Sequence, residues 1–299
     1  MALNETGIIW TQGTFNFFSG CKKVSPGCKF CYASTLSENK RGTLAFPNGF
    51  DLTVRPHKIK EPLKLKEPTL IFVNSMSDFF LKDSELTQIE LQEMRTKGFD
   101  SMDAIRDTLI DVMEQTPHEY QVLTKRPEEM LRYSQRRKLP PNFWAGVSVD
   151  TQHFASRIDI LRQVDAEIRF ISAEPILSHL DLDLSGIHWV IGGGESGNHL
   201  AKPDIRAKRS MADFDPVLRR WIPRADRYHW AQDLRDQCIA QNVKFFWKQF
   251  GGLKPTSAGR ELDGRTWDEF PRLPGGAQTA AVTTGHRLSI AKQEQLALL

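Results

Sequence analysis

Leu70-Ile71-Phe72-Val73-Asn74, followed at once by Ser75-Met76-Ser77-Asp78, carries the architectural signal of this chain. A short apolar run rich in β-branched and aromatic side chains, closed by a polar cluster, reads as a strand covered on both faces. Strands take that form in parallel sheets flanked by helices. The same form recurs at Tyr120–Thr124, Trp144–Ser148, Arg169–Ala173, Trp189–Gly193 and Val243–Trp247, and a first strand is expected within residues 8–18. Between them, helical periodicity covers Ser84–Thr96, Met102–Thr116, Pro127–Arg137, Thr151–Val164 and Ala225–Gln241. This β/α alternation predicts an α/β fold, a full or partial (β/α) barrel of about six to eight parallel strands, TIM-barrel-like, with an open doubly wound sheet as the alternative. Residues 1–270 are expected to form one barrel-like domain, with Arg41–Lys66 as a loop layer and residues 271–299 as a flexible tail without aromatic residues.

Barrels of this kind collect their chemistry at the C-terminal ends of the strands. Here those ends carry Asn74, Ser75, Ser77 and Asp78; Lys125 and Arg126; Ser148 and Asp150; Ser172 and Glu174; Glu195 and Ser196; Lys248 and Gln249. Asp78, Ser148 and Asp150 can equally be read as helix N-caps. Lys125-Arg126 and Lys248-Gln249 fit that role poorly, because cations oppose the dipole at a helix N-terminus, and they are expected to face an anionic ligand. Glu174 precedes Pro175, which favours an extended backbone and can aim the carboxylate across the barrel mouth toward one of these cations. The candidate catalytic residues are Glu174 and Lys125, and the candidate cofactor-binding residues are Asn74, Ser75, Ser77, Asp78, Ser148 and Lys248.

Cys21, Cys28 and Cys31 lie in one turn-rich loop just after the expected first strand. The Ser25-Pro26-Gly27 turn can fold Cys21 back toward the C-x-x-C, so the three are candidate metal ligands whose sulfurs are expected to share one centre. A structural zinc wants four protein ligands, and the remaining Cys238 sits on the apolar stripe of a helix, where a thiol acts as a small hydrophobe. Three thiolates therefore leave an open coordination position, compatible with an iron–sulfur cluster or a catalytic zinc; unmetallated thiols are the third reading. Gly192-Gly193-Gly194-Glu195-Ser196-Gly197 satisfies the spacing of a dinucleotide fingerprint, but Asn198–Pro203 is a poor helix opening that Pro203 is expected to interrupt.

With Phe30 immediately before its last cysteine, the Cys21–Cys31 loop resembles the cluster loop of radical S-adenosylmethionine enzymes, although the gap from Cys21 to Cys28 is longer than usual there. The whole chain more closely resembles an uncharacterised phage and bacterial three-cysteine-motif family, a domain of unknown function grouped with those enzymes by that loop. The shared landmarks are Ser25-Pro26-Gly27-Cys28, Ser75-Met76-Ser77-Asp78, Leu123-Thr124-Lys125-Arg126, Gly146-Val147-Ser148, Glu174-Pro175, Gly192–Gly197 and Lys248-Gln249. The resemblance implies a partial barrel, a [4Fe-4S] cluster on Cys21, Cys28 and Cys31, S-adenosylmethionine at the open iron, an electron donor, and radical chemistry on a substrate it does not name. By position, Asn74–Asp78 matches the segment that meets the amino group of S-adenosylmethionine.

The composition, with 40% hydrophobic and 26% charged residues, is that of a globular chain able to bury a full core. Neither a membrane span nor a signal sequence is legible, and clustered cysteines suit a reducing cytoplasmic setting. Charge is unevenly placed. Residues 202–227, which resemble an insertion, hold Lys202, Arg206, Lys208, Arg209, Arg219, Arg220, Arg224 and Arg227 against Asp204, Asp213, Asp215 and Asp226. Outside them the chain is nearly neutral, although the whole carries +3. With Phe214 and Trp221 among the charges, the stretch is a candidate nucleic-acid surface through Arg206, Arg209, Arg219 and Arg220; the alternative is a solvated helix-loop anchored by its aromatics. Three functions follow: a radical enzyme dependent on S-adenosylmethionine, a non-catalytic nucleic-acid-binding protein stapled by metal, and a zinc hydrolase with Asp78 or Glu174 as base.

Overall fold

The computed structural model describes residues 6–197, 201–272 and 274. The chain runs through β1 (Gly13–Phe15), β2 (Phe18–Ser19), α1 (Tyr32–Asn39), β3 (Thr53–Val54) and β4 (Leu70–Val73). Next come α2 (Gln88–Thr96), α3 (Met102–Glu114), β5 (Glu119–Thr124), α4 (Pro127–Arg136), β6 (Phe143–Ser148), α5 (Arg157–Leu161), β7 (Ile168–Ala173) and β8 (Trp189–Gly193). The last elements are α6 (Pro203–Arg209), β9 (Ala212–Asp215), β10 (Arg220–Pro223), α7 (Ala225–Ala240) and β11 (Lys244–Gln249).

One seven-stranded sheet has the order β1-β4-β5-β6-β7-β8-β11, every pair parallel. Successive strands of this series are neighbours and the order never reverses, so the sheet has no switch point of the doubly wound kind. It curls into a half-barrel with flanking helices and open edges at β1 and β11. The predicted α/β partial barrel is therefore the observed fold, and each predicted strand is present to within a residue or two.

Local chemistry sets the helix boundaries. Thr87 and Glu90 form a reciprocal capping box that starts α2, leaving the residues before it as a separate 3₁₀ turn, and the Ser101 hydroxyl caps α3 by accepting from Ala104 N. Thr151–Val164, expected as one helix, is a 3₁₀ turn followed by the short α5. Pro203 does not interrupt a helix; it opens α6, because a first-turn proline lacks only an N–H that would have no helical partner. The insertion is not a helix-loop throughout: β9 and β10 form an antiparallel hairpin. The expected tail falls almost wholly outside the described residues, although Arg272 is still held by Glu119, Glu167 and the Pro141 carbonyl.

Alternation along the strands sorts the side chains into two layers. Ile71, Val73, Val122, Ala145, Val147, Ile171 and Val190 pack outward into the large core with Ile105, Leu109, Met130 and Leu234 of the helices. The opposite parity, Leu70, Phe72, Trp144, Phe170, Trp189, Ile191 and Phe246, joins Trp10 in a second buried cluster that fills the inside of the curl. Gly146 belongs to this face because a Cβ there would run into the Phe170 ring. One step further along the same parity lie Asn74, Ser148, Ser172, Glu174 and Lys248, so the interior face turns from aromatic to polar at the strand ends. Among the described residues no helix is long and apolar enough to cross a membrane.

Candidate functional site

A cavity of about 270 Å³ opens at these strand ends. Its floor is Trp10, Phe72 and Leu123, and its walls include Cys21, Cys28 and Cys31 together with Asn74, Ser75, Ser77, Asp78, Lys125, Ser148, Glu174 and Lys248. Every residue singled out from the sequence as a candidate site residue thus borders one concave space, because parallel strands present all their C-terminal ends to the same side.

The cysteine loop leaves β2 and is held against the sheet from several directions. Gly20, at φ +100°, is pressed against the Asp51 and Leu52 backbone, where a Cβ would approach to 2.6 Å, and its N–H donates to the Met76 carbonyl at 3.1 Å. Pro26–Cys28 form a 3₁₀ turn, and Cys31 stands at the N-cap of α1. Lys22 Nζ pairs with Glu90 Oε1 at 2.7 Å. Asp150 Oδ2 accepts from Gly27 N at 2.7 Å and from the Ser25 hydroxyl, and a Cβ on Gly27 would collide with that carboxylate. Arg209 donates to the Pro26 carbonyl at 3.0 Å, lies 5.2 Å from the Phe30 ring centroid and grips the Glu195 carboxylate.

Several of these roles differ from the sequence reading. Arg126 lines the cavity with its donors already engaged: a guanidinium only 4% exposed needs partners, and it finds both Glu85 oxygens, Asp78 Oδ2 at 2.9 Å and the Lys22 carbonyl. Asp78 is committed too, since its oxygens accept from Phe80 N, the Thr124 hydroxyl, Lys125 N and Arg126, which makes it a bracket between strand ends. Asp150, read as a possible cap, tethers the cysteine loop instead, with Lys125 Nζ 3.8 Å away. Arg209, counted among free cations for nucleic acid, is committed to the wall residue Glu195 and to the Pro26 carbonyl. Asp150 and Arg209 reach the cysteine loop across 123 and 183 positions of chain, so these roles left no mark in local pattern.

The thiols share the cavity without sharing a centre. Among the described residues no three His, Cys, Asp or Glu side chains are gathered as a metal-holding group, so the expectation of sulfurs already converged is not met in this state. The Cys21 thiol donates to the Lys22 carbonyl and accepts from Arg126 Nη1 at 3.8 Å; burial, and then the Asp78 charge, push it up to about 12. Cys28 Sγ lies 3.7 Å from the Ser25 hydroxyl. Cys238, on the inward face of α7, is fully buried in the core, as its place on the helix stripe predicts.

Two features face the cavity with capacity to spare. Asn74, 2% exposed and at φ +58°, has neither its amide nitrogen nor its amide oxygen hydrogen-bonded. Across the mouth, Lys248 Nζ pairs with Glu174 Oε1 at 3.0 Å, the pairing Glu174 was positioned to make. Ser77 Oγ is engaged with the Phe18 carbonyl, and Ser75 exchanges hydrogen bonds with Asn16. The glycine run serves close packing: a Cβ on Gly193 would come within 2.8 Å of Glu174 Oε1, and one on Gly194 would strike the Phe250 carbonyl.

A curled sheet of parallel strands with three cysteines and a buried polar mouth at its C-terminal face defines the class: a half-barrel α/β protein with a thiol-lined pocket at the strand ends. The chain matches the family described as "Protein of unknown function (DUF5131)" over residues 5–213 and 223–271, and it belongs to that family. No curated protein and no solved structure matches it.

Proposed function

We propose that the protein is a radical S-adenosylmethionine-type enzyme, with Cys21, Cys28 and Cys31 holding a [4Fe-4S] cluster whose open position receives S-adenosylmethionine. The observation that carries the reading is the shared cavity: three thiols, an unpartnered buried amide at Asn74 and the Glu174–Lys248 pair all border one space at the strand ends. The donor set suits the group, because three thiolates leave one metal position open, and turning the loop side chains toward one another is what a shared centre asks of this chain. When bound, the cluster would supply the electron that cleaves S-adenosylmethionine reductively.

The protein's own residues bind, orient and exclude water. Asn74 offers a donor and an acceptor to the ligand. Glu174 and Lys248 present opposite charges and can separate to meet the ammonium and carboxylate of its amino-acid part. Trp10, Phe72 and Leu123 close the floor against solvent. Asp150, Arg126 and Lys22 keep the cysteine loop on the sheet. A reducing cytoplasmic setting, an electron donor and a substrate complete the scheme. The test is anaerobic reconstitution with iron and sulfide, followed by measurement of 5′-deoxyadenosine under reductant. Brown protein that releases it supports the reading. Colourless protein that retains zinc, or a reconstituted cluster that never cleaves S-adenosylmethionine, overturns it.

A further inference from the structure

The insertion keeps its positive charge after folding. Arg209, Arg224 and Arg227 are used internally: Arg209 on Glu195, Arg224 on Asp226 and the Ala207 carbonyl, and Arg227 on the Ser210 and Ala207 carbonyls. Asp226 is thereby neutralised, Asp213 lies 3.6 Å from Arg224, and Asp215 turns back to cap Val217 N and Leu218 N. Lys202, Arg206, Lys208, Arg219 and Arg220 have no side-chain partner among the described residues, and Asp204, in the first turn of α6, has none either. Folding has therefore used three of the arginines internally and left Lys202, Lys208, Arg219 and Arg220 exposed.

The hairpin adds an aromatic surface to this charge. Phe214 and Trp221 are register partners with ring centroids 6.0 Å apart. Trp221 packs against Gly252, which bridges to Ser196 on the cavity wall, whereas Phe214 stands 52% exposed. The inner ring thus anchors the hairpin beside the mouth while the outer ring faces solvent. Arg219 holds φ +50° at the foot of β10, and the cysteine loop extends the basic rim with exposed Lys23 and Lys29. The family match is interrupted at residues 214–222, the stretch that carries Phe214, Arg219 and Arg220.

We propose that the β9–β10 hairpin and the adjoining basic rim form a docking strip for a single strand of nucleic acid, with phosphates on Lys208, Arg219 and Arg220 and a base stacked on Phe214. Exposed guanidinium groups suit phosphate, and a solvent-facing ring beside them suits an unpaired base, which a duplex or an acidic peptide cannot supply. The strip is joined to the cavity wall through Trp221, Gly252 and Ser196, so a bound strand would run beside its mouth. This is a statement about binding and stands apart from the cluster chemistry.

The test uses the full chain without iron or S-adenosylmethionine, so that failure of the cofactor reading leaves it untouched. Fluorescence anisotropy would follow single-stranded oligo-dT and oligo-U, the matching duplex, and a poly-glutamate peptide of equal charge, each across a salt series. Single strands should bind at low salt and weaken steeply as salt rises. The R219A/R220A variant should flatten the log–log salt slope by roughly 1.4, from about 0.7 per lost phosphate contact. F214A should lose roughly 5- to 100-fold in affinity with an unchanged slope. K64A/K66A, which removes the same charge near the opposite end of β4, is the control and should match wild type. Absence of binding at low salt, equal loss in the control, or duplex or poly-glutamate binding as tightly as single strands would each overturn the proposal.

Discussion

Asp150, two residues beyond the end of β6, accepts a hydrogen bond from the backbone N–H of Gly27 at 2.7 Å, joining a strand end to the cysteine loop across 123 residues of chain. The same oxygen takes the Ser25 hydroxyl, so one buried carboxylate fixes the turn between Cys21 and Cys28. Asp150→Ala leaves both donors without an acceptor and should cost about 1–3 kcal/mol. The measurement that isolates the effect is amide exchange: protection at Gly27 and Cys28 should collapse while β6 stays protected. Uniform loss across the sheet would show that Asp150 supports the fold at large rather than the loop.

Arg126 should be the most sensitive charged residue of the site. Its partners Asp78 and Glu85 are largely buried, so Arg126→Ala strands carboxylates and is expected to lower stability by about 3–5 kcal/mol, read from denaturant midpoints. Adding Glu85→Ala to that variant should cost much less than Glu85→Ala alone, since the stranded charge disappears with its partner. Additive losses would mean the pair is not coupled.

Asn74 separates binding from folding. Its amide is buried without a partner and its backbone is left-handed, so Asn74→Gly removes an unsatisfied group at a position where glycine meets no strain. Thermal stability of the ligand-free protein should stay level or rise by up to about 1 kcal/mol. The thermal shift given by S-adenosylmethionine with the reconstituted protein should shrink. A variant that binds as wild type would assign the amide no part in the pocket.

Alanine at Cys21, Cys28 or Cys31 should abolish iron retention after reconstitution, whereas Cys238→Ala should keep full iron and lose about 1 kcal/mol of stability from the core. Iron counted per chain against unfolding midpoint distinguishes the two classes. Undiminished iron in Cys21→Ala would remove that residue from the ligand set.

The raised Cys21 thiol gives a pH signature in the metal-free chain. The native state holds this proton more tightly than the unfolded state, so its contribution to stability is complete below the ordinary thiol range, near 9, and is lost as pH climbs toward about 12. At pH 8.5 iodoacetamide should modify Cys21 in the folded chain at least roughly 100-fold more slowly than in urea, because the thiolate is the reactive form. Mass mapping of the alkylated sites measures the ratio, and equal rates in both states would contradict the burial that raises it.

The sequence by itself determined the sheet and the address of the site. Apolar runs such as Leu70–Val73 and Trp189–Gly193 are local signals. Alternation along a strand then obliges Asn74, Ser148, Glu174 and Lys248 to follow Phe72, Trp144, Phe170 and Phe246 on the inner face. The cluster of cysteines in one turn-rich loop was equally local. Only the tertiary structure decided which charges are free. Arg126 and Arg209 look in sequence like their neighbours Lys125 and Lys208, yet they are spoken for by Glu85, Asp78 and Glu195, while Asn74 is left without a partner. Composition likewise could not show that residues 212–223 form a hairpin with one ring anchored and the other exposed. The physical reason is range: backbone periodicity is set by neighbours along the chain, whereas an ion pair or an unpaired amide depends on which distant residues the fold brings within about 3 Å.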